Sequence, residues 1–302
     1  MTKVFLVSSA ENVNKCIGKH QISLGTFFNY QILGQIYEPF ELKNFNYSAD
    51  TTILENNGNT IVVTMKYNQD NVPTINFHSP VVPGTYRFEF FYFQWFENTT
   101  TKFPVELHAV FYNTKLKNLQ EAMGLRNNIV ILAFELMIAS NVNNTQYAGL
   151  RGYLEKVKIA KSKINLKDSP LKLWMPDYMK DYILYEGFPT FFNCKTQVLF
   201  VDFMEGIELE AELIKEFQNL QSYDGTPLMN QFETFLKPNG PFVVNYGESN
   251  SEGFKIKGIP FVIDDVGSNG STFQRFVLLP QSHLSNTKQP ASHDHTKNGF
   301  AP

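Results

Sequence analysis

Charged residues are scarce in this chain and neither sign dominates. Lys and Arg number 26 against 29 Asp and Glu, 18% of 302 residues, for a net charge of −3. A protein that wraps duplex nucleic acid needs a large basic excess, so that function is excluded. Long hydrophobic runs are missing too. The longest, residues 129–139, is broken by Glu135 and falls well short of the roughly 20 residues that span a bilayer. No membrane span is expected. The opening MTKVFLVSSAENVNKC has too short an apolar cluster for a signal-peptide core, and a mature or trimmed N-terminus is expected. Two cysteines, Cys16 and Cys194, permit one disulfide or two thiols. There is no Gly-rich phosphate loop, no Gly-x-Ser-x-Gly elbow, no Cys-x-x-Cys pair and no 20 to 50 residue repeat. Without a Pro-rich or Gly/Ser-rich linker, one continuous domain over 1–265 is expected. A C-terminal extension over 266–302 follows, polar and flexible beyond about residue 283.

Aromatic residues are abundant: 28 Phe and 14 Tyr in a chain that is 43% hydrophobic. Such residues pack on pleated, half-buried surfaces, which favours a sheet-rich fold. Residues 59–66, 85–96, 105–113, 128–139 and 196–203 are runs of β-branched and aromatic residues bounded by turn formers such as Asn56-Asn57-Gly58 and Pro83-Gly84. Little helical pattern separates them, so a mostly antiparallel sheet is expected. Leu150, Leu154 and Val157 predict a helix over about 147–161, and Leu209, Leu213, Phe217 and Leu220 another over 208–221. Both should lie on the sheet. The class is mainly β with peripheral helices (α+β).

Several segments, taken in order, resemble the alpha-class carbonic anhydrases. Gly84-Thr-Tyr-Arg-Phe-Glu-Phe-Phe-Tyr-Phe-Gln-Trp95 and Glu106-Leu-His-Ala-Val-Phe-Tyr-Asn113 are similar to the family's two metal-bearing strands, Phe-His-Phe-His-Trp and Glu-Leu-His-x-Val-His-Trp-Asn. Leu54-Glu-Asn-Asn-Gly58 resembles its Asn-Asn-Gly-His turn. Asp181-Tyr-Ile-Leu-Tyr-Glu-Gly187 resembles the segment before its active-site threonine, and Val244-Asn-Tyr246 its late Asp-Asn-Trp. The resemblance implies the alpha-carbonic-anhydrase fold, with a central twisted sheet of about ten strands. It also implies a Cys16–Cys194 disulfide, because Cys16-Ile-Gly-Lys-His-Gln21 and the Thr190 to Cys194 interval have the spacing of extracellular members.

The same resemblance shows what the chemistry lacks. A catalytic zinc needs three protein ligands and one open position for water, and the family draws three histidines from two neighbouring strands. Residues two apart on a strand face the same way, which explains a His-x-His pattern. Here those positions hold Tyr92 and Gln94, and only His108 remains. Asn59 stands in place of the proton-shuttling His, and Phe90 in place of a Gln that orients a ligand. Thr190 matches the active-site threonine, but Phe191 follows it. Only 13 residues separate Gln94 from His108, too few for the segment that carries the threonine's Glu partner. The resemblance therefore implies an acatalytic member with no metal and no cofactor, its former cleft lined by Asn59, Phe90, Glu106, Val110, Thr190 and Phe191.

Glu106 and His108 face one side of one strand and form either a residual acid-base pair or a buried structural one. His293-x-His295 has metal-ligand spacing in the polar tail. The lysines at 156, 158, 161, 163, 167 and 172 form either a solvated helix face with its following loop or a surface for a sulfated glycan or acidic partner. Glu205, Glu208, Glu210, Glu212 and Glu216 gather at the expected helix start, where the dipole favours them. Four Asn-x-Ser/Thr sequons, at Asn46, Asn98, Asn143 and Asn269, favour a secreted glycoprotein.

The expected role is binding or structural, with an extracellular protein, a glycan, a second copy or an apolar small molecule as partner. A bulk extracellular-material protein and a weak or altered enzyme at Glu106 and His108 are the alternatives.

Overall fold

A computed structural model of the chain describes residues 40–78, 84–95, 105–139, 147, 149–180, 182–187, 189–192, 196–228, 243–245, 265–266 and 272–273. Cys16, Cys194, Asn98, Asn143, Asn269, His293, His295 and the C-terminal tail lie outside these residues, so the disulfide and the tail's character are not addressed by them.

The chain divides into two compact units. The first, residues 1–26 with 30–252, carries an 11-stranded sheet. Its strands are β1 (Glu41–Lys43), β2 (Thr51–Asn56), β3 (Ile61–Lys66), β4 (Thr74–Phe77), β5 (Gly84–Trp95), β6 (Val105–Asn113), β7 (Ile129–Ile138), β8 (Lys163–Leu166), β9 (Tyr182–Gly187), β10 (Val198–Leu209) and β11 (Val243–Asn245). Their spatial order is β11-β9-β10-β7-β6-β5-β3-β2-β8, with β4 joining β5 and β1 joining β4. Every pair is antiparallel except β7 with β10, which run parallel. A parallel pair cannot be joined by a tight turn, and the 139–197 connection supplies the crossover it requires. The second unit, residues 27–29 with 253–302, contains the antiparallel pair β12 (Asp265–Val266) and β13 (Thr272–Phe273).

Alternation along β5 and β6 sorts side chains to two faces. Phe91, Phe93 and Trp95 of β5, with Val105, Leu107, Ala109 and Phe111 of β6, join the main hydrophobic core. Tyr86 and Phe88 join it as well, although simple alternation puts them with Phe90. The reason is a β-bulge at Glu89: Phe88 pairs with Phe111 and Phe90 with Val110, leaving Glu89 as the extra residue. That one insertion turns Phe90, Tyr92 and Gln94 to the opposite face.

The core face is covered by the helices α2 (Leu150–Lys156) and α3 (Ala211–Gln218), and a third, short helix, α1 (Leu119–Ala122), follows β6. α2 buries Leu150 and Leu154, and α3 buries Leu213, Ile214 and Phe217. The Phe217 ring lies 5.3 Å from both Phe93 and Trp95, and Trp174 packs 4.9 Å from Phe91. Each such buried aromatic contributes about 1.5–3 kcal/mol of apolar burial.

Both helices are shorter than their periodicity suggests. β10 continues through Leu209, so Glu205 and Glu208 sit on a strand, Glu210 flanks α3, and only Glu212 and Glu216 lie within it. α2 ends at Lys156, so the lysines that follow are not on a helix face.

Asn56 explains that early ending. Fully buried at the end of β2, its amide donates to the carbonyls of Val157 (3.1 Å), Lys158 (3.2 Å) and Gln221 (3.1 Å), and its Oδ1 accepts from Gly58 N (2.9 Å). Its backbone also bonds Ser162 O and Lys161 N. Gly58 is required for the turn. Its φ is +84°, and an added Cβ would lie 2.2 Å from the Tyr223 ring. Replacing Asn56 with Ala removes the side-chain partner of the buried Val157 carbonyl and of the Gly58 N–H and loosens the two part-buried contacts, so the expected loss is about 2 kcal/mol in urea denaturation. A loss under about 1 kcal/mol would contradict the role given to this side chain.

Candidate functional site

The face opposite the core carries the sequence-predicted site. Tyr92 lies directly across from His108, Gln94 across from Glu106, and Phe90 across from Val110. All six are buried, with Tyr92 and His108 at 0% exposure. Thr190 and Phe191 come from a short 3-10 turn, Thr190–Phe192, and Phe191 is partly exposed. Asn59 is partly exposed in the turn that precedes β3, where its backbone N–H donates to Asn57 Oδ1.

The polar centre is a chain of three side chains. His108 Nε2 is 2.9 Å from Glu106 Oε2, and His108 Nδ1 is 2.9 Å from the Tyr92 hydroxyl. A carboxylate oxygen accepts, so a proton on His108 Nε2 points to Glu106 while Nδ1 faces the Tyr92 hydroxyl. The Tyr92 hydroxyl and Nδ1 share the second hydrogen bond. Burial, with the Glu106 carboxylate adding to it, pushes the Tyr92 phenol well above its ordinary range, so it stays protonated.

Above this chain the surface is aromatic. The Phe191 ring stacks on Tyr92 at 4.5 Å and 24°, and lies 5.1 Å from Phe90. Phe200 approaches His108 with ring centroids 6.0 Å apart. Aromatic rings thus fill this face at the level of Tyr92 and His108.

Three contributors were not singled out as site residues from the sequence. Glu135 of β7 lies directly across from Glu106, and Asp202 of β10 is across from Ala133, which faces His108. Both carboxylates are buried on this face, as is Phe200. The available signals were Glu135 as the one charge in the 129–139 run and Asp202 within the apolar run 198–203.

The comparisons with known proteins accord with this architecture. The family model for eukaryotic-type carbonic anhydrase matches residues 10–244, and the chain belongs to that family. It is 21% identical to carbonic anhydrase 6 of Bos taurus over 182 residues, which covers 58% of this chain and 56% of that one. It is 28% identical to the carbonic anhydrase-related protein of Rattus norvegicus over 143 residues, 45% and 48% of the two chains. Carbonic anhydrase 15 of Mus musculus is 24% identical over 194 residues, 60% and 59%. The chain spans about half to three fifths of the length of these relatives.

The donor set does not fit the zinc of the family. Zinc binds a histidine nitrogen at about 2.0–2.1 Å and needs further imidazole, thiolate or carboxylate ligands. Here Nδ1 of His108 is already bonded to a phenol that burial keeps protonated, and the third position offers an amide. No group of three His, Cys, Asp or Glu side chains is placed to hold a metal among the described residues.

The buried phenols set an alkaline limit to stability. Tyr92 and Tyr147 are both held protonated in the fold by burial, whereas in the unfolded chain they ionise near pH 10. Above that pH the unfolded state releases protons that the native state keeps, so stability falls as pH rises. The slope should reach about 1.4 kcal/mol per pH unit for each phenol. Urea denaturation between pH 9 and 11.5 should show it, and Tyr92→Phe should remove one phenol's share of the slope. A slope unchanged by Tyr92→Phe would contradict the buried, neutral Tyr92.

Proposed function

We propose that this chain is a secreted, acatalytic carbonic-anhydrase-like protein that acts by binding or as a structural component, through its scaffold and surface. One observation carries the reading: both ring nitrogens of His108 are taken by side chains of the chain itself, Glu106 and Tyr92, in a site roofed by Phe191. Hydration of CO₂ by this family depends on a metal that lowers the pKa of bound water to about 7. Tyr92 and Gln94 replace two imidazoles, Asn59 replaces the titrating side chain, and neutral groups supply no substitute for the metal.

The likeness to proteins named as carbonic anhydrase-related supports the same reading. Secretion is supported by the four sequons, of which the described one, Asn46-Tyr47-Ser48, is exposed along its whole length in a turn. An altered enzyme built on Glu106 and His108 is disfavoured by their burial, since a general base must reach the proton it removes.

Purified protein should contain no stoichiometric zinc by elemental analysis, and stopped-flow CO₂ hydration should match buffer. Tyr92→His together with Gln94→His should gain zinc, with little activity while Phe90, Asn59 and Phe191 remain. Hydratase activity in the unmodified protein that a chelator or a sulfonamide abolishes would overturn the proposal.

A further inference from the structure

The face of the sheet that carries His108 continues outward from β5 through β3 and β2 to the edge strand β8. Cross-strand register places Val62 beside Tyr92, then Glu55 beside Val62, then Lys163 beside Glu55. Beyond Val62 this face stops being apolar. It presents Thr64 and Lys66 from β3, Thr51 and Ile53 from β2, and Lys163 and Asn165 from β8, followed by Lys167.

The lysines continue past the end of β8. Lys156, Lys158 and Lys161 are exposed, as are Lys163, Lys167 and Lys66. They are not a mobile helix face. The backbone between α2 and β8 is pinned at Val157, Lys158, Lys161 and Ser162 by the buried Asn56, and Gln221 N also donates to Lys158 O at 2.8 Å. Lys161 holds a left-handed conformation, φ 70°, and its ammonium sits 5.1 Å from the centroid of the half-exposed Tyr223 ring. Lys156 lies in the same way 5.9 Å from the Tyr153 ring.

Acidic groups are interspersed with the lysines, among them the exposed Asp50, whose backbone N–H donates to Lys66 O at 2.7 Å, so a polyanion meets the arrangement of the ammonium groups rather than a large local excess of charge. Glu55 opposes Lys163 and is partly buried. Glu155 and Asp168 are exposed neighbours in sequence, and Asp224 is turned into its own loop by the Ser222 and Thr226 hydroxyls, which hold its carboxyl down to about 2.

We propose that this edge, formed by the end of α2, the 157–162 loop and β8, is a binding surface for sulfated polysaccharide. Fixed ammonium groups match a linear polyanion, and the exposed Tyr223 ring offers a surface against which a sugar ring packs. The order of the loop means little freedom is lost on binding. A second copy of β8 is the wrong occupant, because antiparallel pairing of Lys-Ile-Asn-Leu-Lys with itself sets lysine against lysine. The chain as a whole is slightly acidic, so attraction to a polyanion must come from a local surface such as this one.

The proposal deepens the binding reading above and names the partner class. Its test is separable, since glycan binding and zinc content are read independently. The intact protein should bind immobilised heparin at about 0.15 M salt, with affinity falling steeply as salt rises. Desulfated heparin and polyglutamate serve as the comparison ligands. Lys161→Ala with Lys163→Ala should weaken heparin binding about thirty-fold, at roughly fivefold per lysine. Lys115→Ala with Lys117→Ala, exposed lysines beyond β6, should leave it unchanged, and thermal melts confirm that both variants fold. The proposal is overturned if heparin is not retained or if the two lysine pairs lose affinity equally. Desulfated heparin binding as well as heparin would also overturn it, and equal binding of polyglutamate would assign the surface to an acidic protein instead.

Discussion

The register of β5 against β6 is the constraint on which the rest depends. Nine paired positions run from Tyr86 with Asn113 to Trp95 with Val105, and the bulge at Glu89 sets which face each side chain takes. With Glu89 inserted, Phe91, Phe93 and Trp95 reach Trp174 and Phe217 in the core, and Tyr92 arrives opposite His108. A slip of one residue would exchange these sets, placing Gln94 in the core and Phe93 against the imidazole. The sheet's packing and the state of the old site are therefore decided together.

Within that frame Tyr92 gives the buried His108 a hydrogen-bond partner from the chain itself. Removing ligands from a buried His would leave Nδ1 without a partner, at a cost of about 1–3 kcal/mol. The Tyr92 phenol meets Nδ1 at 2.9 Å, and Phe191 stacked on the same ring closes the space above it. A neutral, hydrogen-bonded and aromatic-capped group can be buried without the desolvation penalty that an ion would carry. What remains for interaction is the outer part of that sheet face, where lysines and threonines replace the aromatic residues.

Much of this was legible in the sequence because it is written in local pattern. The aromatic alternation over 90–95 and the Glu-x-His pair in β6 gave the strands, their facing residues and the site's composition. The helix ends were not legible, since they are imposed from a distance: Asn56, about a hundred residues earlier in the chain, captures the carbonyls that follow α2. The apolar period through Leu209 and Leu213 likewise spans a strand and a helix that share one core. Where Phe191 and Phe200 come to rest, stacked on Tyr92 and beside His108, is reported by no spacing rule.

The central claim of the proposed reading is that the chain's own side chains, Glu106 and Tyr92, occupy both nitrogens of His108 and leave none for a metal. Crystals equilibrated with excess zinc and measured at the zinc absorption edge test it most directly. The expected result is no anomalous peak at His108, with the Tyr92 hydroxyl about 2.9 Å from Nδ1. A peak about 2.0–2.1 Å from Nδ1, with Tyr92 displaced, would contradict it.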